Sequence, residues 1–378
     1  CGPSRTWFLR GIVNSDWRMV GGGDGFYVKP DPSDPDTVYT ESQDGGLVRR
    51  NLRTNEARSI RPVPPSSAAP PYRFNWNSPL IISSRDHNTI YYAGNYLFKS
   101  TDRGDSWTRL GPDLTNNVDR NTLPILGKVP SKDTLSLNDG VEWWPTISAI
   151  SESPLNAQVL WAGTDDGNLQ VTRDGGRNWT NVASRVPGVP KGTYVSRIVA
   201  SKYAAGTAFV AFDGHRSNDF HVYLFKTADY GQTWHSIANG LPESGGTIHV
   251  IRQHPSDPNL LFVGAKFGAY FSIDGGEHWN RLGMGLPNVR VDDIQIQPRE
   301  NDLILGTHGR SIYILDDLAA IEQLNDKVLD EDLHVFPIRP AISWRMYQNS
   351  WFTGQQAFAG PNPPYGALVD FYLKSKPA

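Results

Sequence analysis

Cysteine is almost missing from this 378-residue chain: Cys1 is the only one. An internal disulfide and any cysteine-based zinc site are therefore excluded. No apolar run approaches the ~18 residues that a membrane-spanning helix needs. No basic run exceeds two or three residues, and the formal net charge is −3. Nucleic acid and an anionic membrane surface are thus poor partners. A phosphate-binding loop, a dinucleotide fingerprint, a G-x-S-x-G elbow and a nucleophilic cysteine are also absent. Gly21-Gly22-Gly23 precedes a strand pattern rather than a helix, so it is no phosphate cradle.

Turn formers and aromatics are plentiful. The 36 Gly and 28 Pro exceed the usual ~7% and ~5%. With 12 Trp, 15 Tyr and 15 Phe, this composition suits many short strands joined by tight turns. It excludes disorder, collagen and coiled coil.

Four segments share one pattern, in which Gly follows Asp by two positions and Trp follows it by five. They run Asp102-x-Gly104 to Trp107, Asp174-x-Gly176 to Trp179, Asp229-x-Gly231 to Trp234, and Asp274-x-Gly276 to Trp279. The physics is that of a hairpin turn. The carboxylate takes backbone N–H groups, the glycine supplies φ > 0, and the tryptophan opens the next strand with a large apolar face. These Asp and Trp residues are read as structural.

Upstream of each box, a short strand and a Pro- or Asp-rich turn lead into a second apolar strand. Val38, Ile90, Leu160, Phe209, Leu261 and Ile304 mark these second strands. A period of about 50 residues with four strands per unit is that of a propeller blade. The reading is all-β: a β-propeller of four-stranded blades with six units in 24–322. Seven blades are expected, the seventh a composite closing blade from 1–23 and 333–346. Its candidate strands are Arg5–Leu9, Asp16–Val20, Leu333–Pro337 and Ile342–Met346. The propeller is assigned to 1–348, with 349–378 as a linker and the first strand of a further domain. One short helix is expected at Ala319–Asn325, and a long polar insertion at Pro112–Gly140. Both ends read as cuts in a longer protein.

The boxes resemble the Asp-box, or bacterial neuraminidase repeat, of sialidases, sortilin-type receptors, photosystem II assembly factors and two-propeller xyloglucanases. More closely, the chain resembles the C-terminal half of large bacterial exported sortilin-like or glycosyl-hydrolase-like repeat proteins. Gly21–Gly25, the Tyr72–Pro79 stretch, Trp161–Gly167, Gly306–Ser311 and Asn362–Ala367 carry this likeness. It implies a secreted or periplasmic location and a second propeller in the intact protein. It implies a glycan or protein ligand; the missing motifs leave the expectation of no cofactor and no metal. The early Arg-Ile-Pro strand of sialidases is absent, which sets that activity aside although Arg73, Arg197 and Arg310 are available.

Strand order places the loops entering inner strands, and those between second and third strands, on one face, opposite the boxes. That face collects the site candidates. Trp76, Asn77, Trp143 and Trp144 suit a sugar platform, with channel-lining as the plainer role. Asp24, Glu142, Asp165 and Asp166 are the carboxylates available for acid/base chemistry, which needs two carboxyls about 5–10 Å apart. Asp-Gly turn chemistry is the simpler account of Asp166-Gly167. Asp213, His215, His308 and Arg310 complete the ligand-binding set. His215 and His308 lack metal-ligand spacing. The expected function is an extracytoplasmic propeller that binds a glycan or protein and is not independently catalytic. Alternatives are half of a two-propeller glycoside hydrolase, or a sortilin-like peptide-binding or assembly factor. Whether the protein is an enzyme stays open on sequence alone.

Overall fold

The computed structural model of the chain describes residues 1–375 except 125–126, 136–142, 244–245, 284, 344 and 348–357. The chain forms two compact units: residues 21–292, and residues 1–20 with 293–378.

The first unit holds five antiparallel four-stranded sheets, each in sequential order. Blade 1 is Val28–Asp31, Asp34–Ser42, Gly46–Asn51 and Ala57–Ser59. Blade 2 is Leu80–Ile82, Ile90–Ala93, Leu97–Ser100 and Thr108–Arg109. Blade 3 is Ile147–Ser153, Asn156–Thr164, Leu169–Thr172 and Thr180–Asn181. Blade 4 is Tyr194–Ala200, Ala208–Asp213, Tyr223–Thr227 and His235–Ser236. Blade 5 is Ile248–Gln253, Leu261–Ala265, Gly268–Ser272 and Asn280–Arg281. The fold is all-β and of propeller type.

Each blade buries a large aromatic at the same place in its second strand: Tyr39, Tyr91, Trp161, Phe209 and Phe262, all almost wholly inaccessible. Both faces of these strands are buried, as packing of sheet on sheet requires. Between blades 3 and 4 the core is Trp161, Val171, Val182, Val195, Ile198, Phe212 and Trp234 with their neighbours. Between blades 1 and 2 it is Tyr39, Leu47, Ile60, Phe74, Leu80, Tyr92 and Phe98.

The four Asp–Gly–Trp turns join third strands to fourth. In the first, Asp102 Oδ1 accepts from Ser100 Oγ at 2.7 Å and from the Ser106 amide at 2.9 Å. Asp174, Asp229 and Asp274 repeat this arrangement. The residue before the box glycine and the glycine itself both have positive φ in all four turns, as at Arg103 and Gly104. A Cβ on Gly104 would lie 2.5 Å from Ile60 Cδ1, and one on Gly176 2.7 Å from Leu110 Cβ. Glycine is thus required twice over, by backbone conformation and by close approach to the preceding blade. The tryptophan completes the clasp. The indole N–H of Trp107 donates to Ile60 O at 2.7 Å, that of Trp179 to Leu110 O at 3.2 Å, and that of Trp279 to Ile237 O at 2.7 Å. Trp234 instead packs edge-on against Trp161, centroids 6.0 Å apart. Trp234 is buried and Trp179 half-buried. Each box therefore fastens its blade to the one before it.

A sixth, three-stranded sheet is built from Val291–Gln297, Asp302–Thr307 and Ile312–Leu315. Two short helices, Ala319–Glu322 and Asp326–Asp330, follow it. Six blade sheets are present among the described residues, not seven. Of residues 1–23 only Ile12–Val13 is a strand, and it pairs with Ala359–Gly360. Gly11 has φ +92°, and a Cβ there would meet Gly360 O. Asn362 accepts from the Thr6 amide and donates to Phe8 O. These contacts hold 5–9 as a loop, with a single bridge from Phe8 to Tyr347. Leu333–Val335 pairs with Phe371–Leu373 rather than with the N-terminal segment. Among the described residues of Ile342–Met346 there is no strand.

Candidate functional site

The best-connected group of expected site residues sits where the loop entering blade 2 meets blade 3. The Asn75 amide donates to Thr146 Oγ1 at 2.8 Å and to Asp165 Oδ2 at 3.2 Å. The Thr146 amide and hydroxyl donate to the two oxygens of Asp165, at 2.8 Å and 2.6 Å. Asp165 is buried, and loss of hydration pushes its carboxyl up to about 7 despite the Thr146 bonds. Asp166 adds to the rise and the Arg216 guanidinium opposes it. Arg216 lies over the Tyr194 ring, 5.0 Å from its centroid.

Asp166 has a different task. Its Oδ1 accepts from Thr164 Oγ1 at 2.5 Å, and its Oδ2 from the Asn116 amide at 2.7 Å. It anchors the insertion that follows blade 2. Arg73 clasps the same insertion, donating to Asp113 at 2.7 Å, Thr115 at 3.2 Å and Pro145 O at 3.0 Å. Beside this clasp opens a groove of about 690 Å³, lined by Arg73, residues 117–121, Trp143, Trp144 and Pro145. Trp143 is 48% exposed and Trp144 half-buried. Solvent-facing indoles beside amides and charged groups suit a ligand with alternating apolar and hydroxylated faces.

Trp76 is half-buried and Asn77 exposed on the loop that carries Asn75. Asp24 is exposed, its amide donating to Gln43 Oε1. Glu142 lies outside the described residues. Asp213 is buried on blade 4 and accepts from His215 through both the backbone amide and Nδ1, the latter at 2.6 Å. His249 stands nearby, half-buried, its pKa lowered to about 4 mainly by loss of hydration. His308 and Arg310 belong to the other unit, exposed at the hairpin between the second and third strands of the sixth sheet. Among the described residues no group of three or more His, Cys, Asp or Glu could hold a metal ion. No helix among them is long and apolar enough to cross a membrane.

Two residues join this region that the motifs did not single out as ligand contacts. Arg197 reaches from the inner strand of blade 4 to His249 O at 3.3 Å, Asp292 O at 3.2 Å and the Tyr27 hydroxyl at 3.3 Å. It ties Tyr27, just before blade 1, to the inner strands of blades 4 and 5 and to Asp292. Glu41 is buried in the second strand of blade 1 and accepts from the Ser78 amide at 3.0 Å. Loss of hydration pushes it up to about 8. Two residues after the buried aromatic, the other four blades carry Ala93, Gly163, Ala211 and Gly264. The signal was therefore a lone acid at a small-residue position of the repeat.

No family model matches the chain. It is 25% identical over 271 residues to the oligoxyloglucan-reducing end-specific xyloglucanase of Emericella nidulans, covering 57% of this chain and 31% of that enzyme. It is 22% identical over 359 residues to xyloglucanase Xgh74A of Acetivibrio thermocellus, covering 77% and 40%. Similarity also extends to vacuolar protein sorting/targeting protein 10 of Arthroderma benhamiae, at 23% over 192 residues, covering 47% and 12%. The chain thus spans well under half of the length of these relatives. Among solved structures, an ancestral GH74 enzyme superposes with a TM-score of 0.54 at 17% identity, over 78% of this chain and 36% of that one. The GH74 xyloglucanase of Xanthomonas campestris superposes with a TM-score of 0.50 at 17% identity, over 80% and 53%. These superpositions carry the propeller fold. The sequence relatives include glycan-acting enzymes and a sorting protein.

Proposed function

We propose that this chain is an extracytoplasmic propeller that binds a glycan and is not independently catalytic. The groove bearing Trp143 and Trp144 beside the Arg73 clasp carries the reading. Its indoles would stack on pyranose faces, while Asn121, Asn117 and Arg120 lie within the same groove to meet hydroxyls. The likeness to two xyloglucanases supports a glycan over the peptide expected of a sortilin-like factor. A second propeller in the longer protein would supply the remainder of the cleft, and 349–378 would lead into a further domain.

A hydrolase half-site is the second reading, and Asp165 favours it. A carboxyl held protonated near neutral pH is what a general acid needs. Its described neighbour Asp166 is occupied by Thr164 and Asn116, so the second carboxyl of a hydrolytic pair would come from elsewhere.

The test is calorimetric titration with xyloglucan oligosaccharides, paired with a reducing-sugar assay. Binding by the chain alone without hydrolysis is expected, weakened about tenfold, or about 1.4 kcal/mol, in Trp143→Ala. Absence of binding across a glycan array would refute the glycan reading. Reducing-sugar release that Asp165→Asn abolishes would replace it with the hydrolase.

A further inference from the structure

We propose that Glu41 is a positioning residue for the glycan site: in its protonated form it locks the loop carrying Asn75 and Trp76 onto blade 3, and ionisation releases that loop. The inference rests on the binding reading above and adds a proton switch to it.

The connection is a chain of hydrogen bonds. Glu41 Oε1 accepts from the Ser78 amide at 3.0 Å. Ser78 Oγ donates to Asn75 O at 3.1 Å, and the Asn77 amide donates to Asn75 Oδ1 at 3.0 Å. Asn75 in turn donates to Asp165 and Thr146. Three of these residues, Glu41, Ser78 and Asn75, are buried, so no water competes for the bonds. The loop between them carries Trp76 and Asn77.

The other carboxyl oxygen shows why the proton matters. Glu41 Oε2 is buried without a hydrogen-bond partner, and so is the hydroxyl of Tyr92. Tyr92 lies close enough for its own ionisation to be opposed by the Glu41 charge. Protonation at Oε2 removes the charge that this partnerless oxygen would otherwise carry away from water. An ionised Glu41 has no cation of its own to pair with. The groups facing this place are Tyr92, itself held neutral by burial; Arg61, which acts on Tyr92 and lies over the Phe74 ring; the Ser78 amide; and the Tyr27 backbone. An unpaired buried charge is costly. The cheapest relief is to admit water by parting the 75–78 loop from the blade.

The repeat argues that this acid is not a packing requirement. Ala93, Gly163, Ala211 and Gly264 stand at its position in the other four blades. Small residues suffice there to seat one blade on the next.

The experiment follows the Ser78 backbone amide and the Asn75 side-chain amide by ¹⁵N NMR from pH 5 to 10, on the deuterated chain without ligand. In the wild type the two signals are expected to share an alkaline step. Glu41→Gln removes that step from both, because its amide oxygen still accepts from Ser78 and the side chain stays uncharged at any pH. Glu41→Ala, which copies blade 2, removes it as well and serves if the glutamine variant does not fold. Asp165→Asn leaves it in place, which separates it from titration of Asp165. An Asn75 signal without the step in the wild type, or with it in either Glu41 variant, overturns the proposal. Calorimetry with a xyloglucan oligosaccharide supplies the second readout. Wild-type affinity is expected to fall about tenfold from pH 7 to pH 9, as the competent fraction falls, and to stay level in Glu41→Gln. Parallel pH dependence in both proteins overturns the switch. If no glycan binds at any pH, the binding reading fails, and the NMR titration still decides the role of Glu41.

Discussion

The seam between blades 3 and 4 and the seam between blades 1 and 2 are built on one plan and filled with different chemistry. In the first, Trp161 meets Trp234 edge-on among valines, isoleucine and phenylalanines, and the buried partnerless polar groups are the two indole N–H groups, set in large apolar rings. The second is tyrosine-rich. It sets Glu41 among aromatics and leaves Tyr39 Oη, Glu41 Oε2 and Tyr92 Oη buried without hydrogen-bond partners. Burial of apolar surface stabilises wherever it occurs. A buried polar atom without a partner costs about 1–3 kcal/mol. The contrast teaches that the 3–4 seam is built for cohesion, while the 1–2 seam gives up cohesion beside the loop that carries Asn75 and Trp76.

The largest expected effect strikes the cohesive seam. Trp161→Ala removes a fully buried indole from the centre of that core and is expected to cost about 3–5 kcal/mol, read as a lowered midpoint in urea unfolding. The matched change across the molecule is Tyr92→Phe. It deletes an orphaned hydroxyl and keeps the ring stacked on Phe74 at 5.3 Å, so stability is expected to hold or rise. A loss in Tyr92→Phe comparable to that in Trp161→Ala would erase the distinction between the seams.

Next in size is a pH effect confined to the polar seam and its neighbour. Glu41 is raised from 4.5 to about 8, and Asp165 from 3.8 to about 7, both mainly by burial. The folded state therefore holds protons that the unfolded state releases. The stability this gives is complete below pH 4, declines as pH rises, and is gone once pH passes 8. Unfolding free energy is expected to fall over this window by on the order of a few kcal/mol, with Glu41→Gln removing the upper part of the slope. A flat profile between pH 5 and 9 in the wild type would refute the assignment.

A smaller effect tests the clasp between blades 4 and 5. Trp279→Phe keeps an aromatic ring but deletes the donor to Ile237 O. The expected loss is about 1 kcal/mol, measured by the same urea titration. The same change at Trp234, whose indole N–H has no partner, should cost less. Equal losses at the two positions would show that the hydrogen bond contributes nothing.

The sequence made some of this legible for clear physical reasons. The Asp–Gly–Trp turns are local: every bond to Asp174 comes from a residue within four positions, so spacing alone reports them. The same holds for the aromatic of each second strand, which repeats with the blade. The Trp143, Trp144 and Asp165 neighbourhood was readable because strand order sorts loops to one face. The composite seventh blade was not. It required 1–23 and 333–346 to be strands, and Gly11 together with the Asn362 side chain hold 5–9 in another course. Such long-range clamps leave no periodic trace. Nor was the link from Glu41 through Ser78 to Asn75, whose ends are more than thirty residues apart and whose importance lies in burial. Asp166 next to Asp165 shows the same limit. Adjacent identical residues, both buried, acquire different partners: one is held by Asn75 and Thr146, the other anchors the insertion at Asn116.

The smallest expected effect belongs to Asp174, and it sharpens the comparison by lying outside both kinds of seam chemistry. Its carboxylate accepts from Thr172 Oγ1 at 2.8 Å, the Asn178 amide at 2.9 Å and the Asn178 side chain at 2.7 Å. These bonds, the Asn178 amide foremost, hold its pKa down at about 2. The sign is opposite to that of Glu41. A lowered folded pKa gives stability that is present above the usual carboxylate range and lost as pH falls toward 2. The turn is solvent-exposed, so screening keeps the contribution modest. Asp174→Ala is therefore expected to lower the melting temperature slightly at pH 7, to have no effect near pH 2, and to leave glycan affinity untouched. The last expectation follows from strand order, since the turn between third and fourth strands lies at the opposite end of blade 3 from Thr146 and Asp165. Melting temperatures at the two pH values and one binding isotherm check it. Unchanged melting with altered binding would mean that the boxes serve the ligand rather than the blades.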